Sequence, residues 1–131
     1  MTQFSQRIAP HVDREIAEAR RLDDSGEAAA SFAHLERAHV LGQASTFHHV
    51  RVHVQMLFWA MKHRVWKEAR GQVLRIVGAA TKTVFGWVPT GNTGGANVSP
   101  FKPLPIAPDL ARTIEVSKRR QGAQRAHRRQ A

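Results

Sequence analysis

Five of the chain's six prolines (Pro89, Pro100, Pro103, Pro105 and Pro108) and four of its nine glycines (Gly86, Gly91, Gly94 and Gly95) fall within residues 86–108. Proline removes a backbone donor and glycine frees the backbone, so no regular helix survives such a stretch. The preceding 85 residues contain one proline, Pro10, and carry apolar residues at helical spacing. The chain therefore divides into a helical domain of four helices at 1–85, a Gly/Pro-rich loop at 86–108 packed on it, and a short helix with a basic, disordered tail at 109–131.

The periodicity predicts helices over about 10–24, 27–41, 47–64 and 66–81, and a last one from about Asp109. Pro10 suits a first helical turn. Val12, Ile16, Ala19 and Leu22 form the first stripe, and Ser25-Gly26 ends it. Ala29, Phe32, Leu35 or Glu36, and His39 form the second, closed by Gly42. Ser45 or Thr46 caps the third, whose face is Val52, Met56, Trp59 or Ala60, and His63. Ala69, Val73, Ile76 or Val77, and Ala80 form the fourth. The fold class is all-α: two antiparallel helical hairpins, stacked in the manner of a tetratricopeptide repeat.

Composition removes several functions. There is no Cys, which excludes disulfides, thiolate metal sites, iron–sulfur clusters and a Cys nucleophile. Charged residues run through the first 25 positions, leaving no apolar core for a secretory signal, and the longest apolar run, Met56–Met61, is far too short for a membrane span. A cytoplasmic location is the expectation. Of the net charge of +10, residues 118–131 supply six: Lys118, Arg119, Arg120, Arg125, Arg128 and Arg129, with no acid among them. Such a tail is commonly a solvated one; a weak, salt-sensitive contact with nucleic acid or an anionic surface is its other reading.

One constellation resembles chemistry. Glu36 and His39 lie one turn apart on the second helix, as do His49 and His53 on the third. A tight turn between the helices brings all four to one level, and ligands at such spacing on facing helices are how bundles hold a divalent ion, zinc foremost. Gln43 could orient an imidazole, and Met56 could support the site or fill core beside it. The same spacing also suits a buried polar network, with Glu36 satisfying His39, or plain surface histidines in a chain with eight of them. No second catalytic acid or triad arrangement is present, so an enzyme is not indicated. In the loop, Asn92, Thr93, Gly94, Gly95 and Asn97 could fold as an anion-binding nest, although neither a Walker ending nor a dinucleotide fingerprint is there.

Leu35-Glu36-Arg37-Ala38-His39-Val40-Leu41-Gly42-Gln43, His49-x3-His53, Gly71-Gln72-Val73-Leu74-Arg75-Ile76 and Gly91-Asn92-Thr93-Gly94-Gly95-Ala96-Asn97-Val98-Ser99 together resemble the bacterial domain of unknown function 3703 family. The resemblance covers about residues 3–115 and implies a small helical protein with no established activity. Its motifs fall on polar and special-backbone residues rather than packing ones, which favours a real site. The expectation is a metal-binding helical protein. Its rivals are a metal-free helical-repeat module that binds a protein partner, and a nucleic-acid accessory protein that uses its tail.

Overall fold

The computed structural model describes the backbone of residues 1–84 and 104–130 and the side chains of 1–78 and 104–119. Among these residues every regular element is a helix: α1 Gln3–Asp24, α2 Ala28–Gly42, α3 Thr46–Lys62, α4 Trp66–Val84 and α5 Pro108–Gln130. The candidate anion nest of Asn92, Thr93, Gly94, Gly95 and Asn97 lies outside the described residues.

The first helix begins seven residues earlier than its proline suggests. Thr2 caps it, its Oγ1 accepting from the Ser5 amide at 3.1 Å, and the buried stripe extends back through Ile8 to Phe4. Pro10 is therefore interior. It faces solvent, where the carbonyl of Gln6 that loses its amide partner can turn to water. At the other end of the chain α5 continues as helix through the basic residues to Gln130, where composition alone reads as a solvated tail.

Two turns share one construction. After α1, the Glu27 amide reaches back to the Leu22 carbonyl at 2.9 Å across Gly26, which has φ 84°. After α3, the Val65 amide reaches the Ala60 carbonyl at 2.8 Å across Arg64, which has φ 57°. Both are Schellman closures, in which the residue past the helix end adopts the left-handed region. Glycine does so freely and arginine at a cost.

The core is a single cluster of Phe4, Ile8, Val12, Ile16 and Ala19 from α1, Leu35, Ala38, Val40 and Leu41 from α2, Val52 and Met56 from α3, and Leu110 from α5. Polar ties fix the register of α2 on α1: Ser31 Oγ donates to the Ala19 carbonyl at 2.7 Å, and Glu15 takes both His34 Nδ1 at 2.6 Å and Arg37 Nε at 3.1 Å. Arg37 also pairs with Asp109, and Arg7 donates to the Ser117 carbonyl at 3.2 Å, which hold α5 on the body. At the joint of α2 and α3, a Cβ on Gly42 would stand 2.8 Å from the Cβ of His48. That approach lets the two helices meet tightly just before the histidines of α3 begin.

Candidate metal centre

α2 delivers His39 in its last turn and α3 delivers His49 and His53 from its first two turns. Ser45 sets the start of α3, its hydroxyl accepting from the His48 amide. With the chain turning after Gly42, the three imidazoles stack around one point. Their ring centroids are 4.7 Å apart for His39 and His49, 4.7 Å for His39 and His53, and 4.9 Å for His49 and His53. One ring nitrogen from each lies within 4.8 Å of the other two. All three side chains are buried, His53 to 2% exposure, which removes the surface reading.

Three other buried or half-buried histidines have plain structural partners. His34 bonds Glu15, and His63 bonds Asp23 at 2.6 Å. His48, beside the site in sequence, turns the other way: its Nε2 donates to the Ser5 carbonyl at 2.8 Å and ties α1 to α3. The convergence of three rings is therefore specific to positions 39, 49 and 53.

The state of His53 follows from its neighbours. Its Nδ1 lies 2.6 Å from Gln72 Oε1. The Gln72 amide is oriented from its far side, where Nε2 donates to Glu68 Oε1 at 2.5 Å, so the oxygen is the end that faces His53. An amide oxygen only accepts, and His53 therefore carries its proton on Nδ1 and keeps the Nε2 lone pair. Burial drives the His53 pKa down to about 4 against the opposing hydrogen bond to Gln72, with the charge of Arg75 lowering it further. The ring is thus neutral at pH 7, as ligation requires. A ligating imidazole whose second nitrogen donates to a fixed oxygen is the usual supporting arrangement of biological metal sites.

Glu36 stands outside the group of three. It sits one turn before His39, half-buried, and among the described residues it makes no hydrogen bond or ion pair. Burial first, and then the charge of Glu68, raise its pKa above the ordinary carboxylate value. The hydrogen-bonded Glu36–His39 pair that would make this a self-satisfied polar network is not formed. Gln43 is buried at the C-cap of α2, and Met56 is fully buried in the apolar core.

Gln72, Glu68 and Arg75 were not picked out as site residues by spacing. On α4 the hydrophobic stripe reads through Val73 and Val77, but the helix is turned so that Ala69 and Gln72 are buried and Val73 and Val77 are exposed. A glutamine in a core-facing position breaks an apolar pattern, and here it supplies an acceptor to His53. The i, i+4 relation of Glu68 and Gln72 was the available signal.

A family described as "Protein of unknown function (DUF3703)" matches residues 6–114. No curated protein and no solved structure matches the chain. No described helix is long and apolar enough to cross a membrane.

Proposed function

We propose, for a chain that belongs to the DUF3703 family, that the protein binds one divalent metal ion between α2 and α3 through His39, His49 and His53. The observation that carries this reading is the convergence of three buried imidazoles with a ring nitrogen of each within 4.8 Å of the others. A cation set between three neutral imidazoles takes a lone pair from each, which is the chemistry that this convergence suits. Tetrahedral zinc at about 2.0–2.1 Å from each nitrogen would draw them slightly closer.

Three protein ligands leave a fourth position. We assign it to Glu36, one turn before His39, as ligand or as the acid that holds a water there: it is half-buried, lacks a partner among the described residues, and has its charge disfavoured by burial and then by Glu68. A cation relieves both costs. Zinc fits a set of nitrogens and one carboxylate without sulfur, and Co²⁺ or Ni²⁺ would be accepted by the same donors. We also read the matched Schellman turns after α1 and α3, with Glu15 meeting His34 and Arg37 and His53 meeting Gln72, as two antiparallel hairpins stacked in tetratricopeptide fashion.

Elemental mass spectrometry of the purified, untagged protein tests the reading. Near-stoichiometric metal is expected in the wild type and none in the His39→Ala/His53→Ala variant. A wild type that is metal-free and fails to take up Zn²⁺, Co²⁺, Ni²⁺ or Cu²⁺ would refute it.

A further inference from the structure

A second surface of the molecule has no part in the histidine cluster. The turn between α3 and α4 and the outer side of α4 expose Met61, Val65, Trp66, Val73 and Leu74, at 39% to 76% of their full areas. On α4, Trp66, Arg70, Val73 and Leu74 stand at i, i+4, i+7 and i+8, which is one side of a helix. The adjoining side holds buried Ala69 and Gln72. The apolar surface of α4 therefore extends beyond the side that the core uses.

Charge on the exposed face has one sign. Arg64, Lys67 and Arg70 are exposed, and among the described residues none of them makes an ion pair. Some exposed cations elsewhere are matched, Arg21 by Glu18, Lys62 by Asp23 and Arg119 by Glu115, whereas Arg14, Arg20, Arg112 and Lys118 are exposed without an ion pair among the described residues; what sets Arg64, Lys67 and Arg70 apart is that they flank exposed apolar side chains. The single acid between Trp66 and Leu74, Glu68, is drawn to the other side by its bond with Gln72. Arg64 occupies a left-handed backbone position that glycine would fill with less strain, so a cation sits at the tip of the turn at some conformational cost.

We propose that the α3–α4 turn and the outer face of α4 dock on an anionic lipid surface. Met61, Val65, Trp66, Val73 and Leu74 enter the boundary between headgroups and acyl chains, and Arg64, Lys67 and Arg70 meet the lipid phosphates. Apolar side chains on one helical side, flanked by unpaired cations and headed by a tryptophan, are the pattern of a helix that lies in a membrane interface. A lipid surface supplies an apolar phase and a layer of negative charge in one plane, which is the layout of this face. The net charge of +10 adds longer-range attraction. This inference stands apart from the metal reading, because no ligand of the cluster belongs to the face.

The test is co-sedimentation of the full chain with vesicles of equal parts phosphatidylglycerol and phosphatidylcholine, and with phosphatidylcholine alone, at physiological salt. The expected result is binding to the anionic vesicles only. Lys67→Glu/Arg70→Glu should weaken it by roughly ten-fold or more, and Trp66→Ser/Leu74→Ser should weaken it comparably. Arg64→Gly, which removes a charge while relaxing the backbone, should weaken it measurably without loss of fold. All variants are checked by helical circular dichroism. A wild type that ignores anionic vesicles overturns the proposal. So do double variants that bind as the wild type does, which would assign the affinity to residues 118–131. Binding to polyglutamate in place of vesicles, lost in the same variants, would assign the face to an acidic protein and overturn it as well.

Discussion

Replacing Gln72 by leucine removes the one acceptor that fixes His53 while keeping nearly the same volume. Gln72 has no exposed surface, and its Oε1 is 2.6 Å from His53 Nδ1. In the variant a buried N–H is left without its partner, a loss of about 1–3 kcal/mol. Part returns because leucine has no amide to desolvate, so a net destabilisation of about 1–2 kcal/mol is expected in the metal-free protein. The loss to metal binding is larger in kind. Without the acceptor the His53 proton is no longer confined to Nδ1, and the ring can present an N–H where the ligand lone pair should be. Removal of such supporting groups weakens metal affinity by roughly 10–100-fold. Long-range proton–nitrogen correlation spectra of the metal-free wild type should show the Nδ1–H tautomer at His53, and the Gln72→Leu spectrum a shift toward Nε2–H. Competition titration with a chromophoric zinc chelator should show the weaker binding at unchanged stoichiometry. An Nε2–H tautomer in the wild type, or equal affinities in the two proteins, would refute the argument.

Gly42→Ala forces a Cβ to 2.8 Å from that of His48 and must push α2 off α3, so a loss of about 1–3 kcal/mol is expected on chemical denaturation, together with weaker metal binding. Arg64→Gly relieves a left-handed residue and should raise stability by about 0.5–1 kcal/mol in the same assay. For pH the sign follows from His53. Its folded pKa of about 4 lies below the ordinary 6.5, so the unfolded chain takes up the proton first. Metal-free stability is therefore full above about pH 6.5, falls between there and about pH 4, and loses a few kcal/mol in total from this residue. Denaturation midpoints across that range should trace the fall, and His53→Phe should flatten it.

Much of the helical frame is legible in the residues themselves. Ser25-Gly26 ends α1 because glycine takes the left-handed φ there, Gly42 is the last residue of α2 and marks the close approach to His48, and Val52, Met56 and Ala60 form the inner face of α3 as their spacing requires. The start of α1 misleads because a proline weighs heavily in any local reading, whereas Phe4 and Ile8 gain more by burial than Pro10 costs in a single missing hydrogen bond. For the site, His39 and His49 lie at matched distances from the α2–α3 turn and His53 follows one turn later on the same face, and the three come together. Glu36, expected opposite His53, is not in the group of three. Spacing alone gives Gln72 and Glu68 no site role, although Gln72 lies in a motif of the family resemblance. In α4 the buried side carries Gln72, bonded to His53, whereas hydrophobicity alone turns Val73 inward.

Cobalt(II) titration followed by visible absorption tests the central claim most directly, because the intensity of the ligand-field bands reports coordination number. The account predicts one equivalent bound per chain with the strong absorption of a four-coordinate site, displaced by zinc, and abolished in each of His39→Ala, His49→Ala and His53→Ala. Weak, octahedral-type absorption that does not saturate at one equivalent, or a four-coordinate spectrum that survives loss of these histidines, would contradict it.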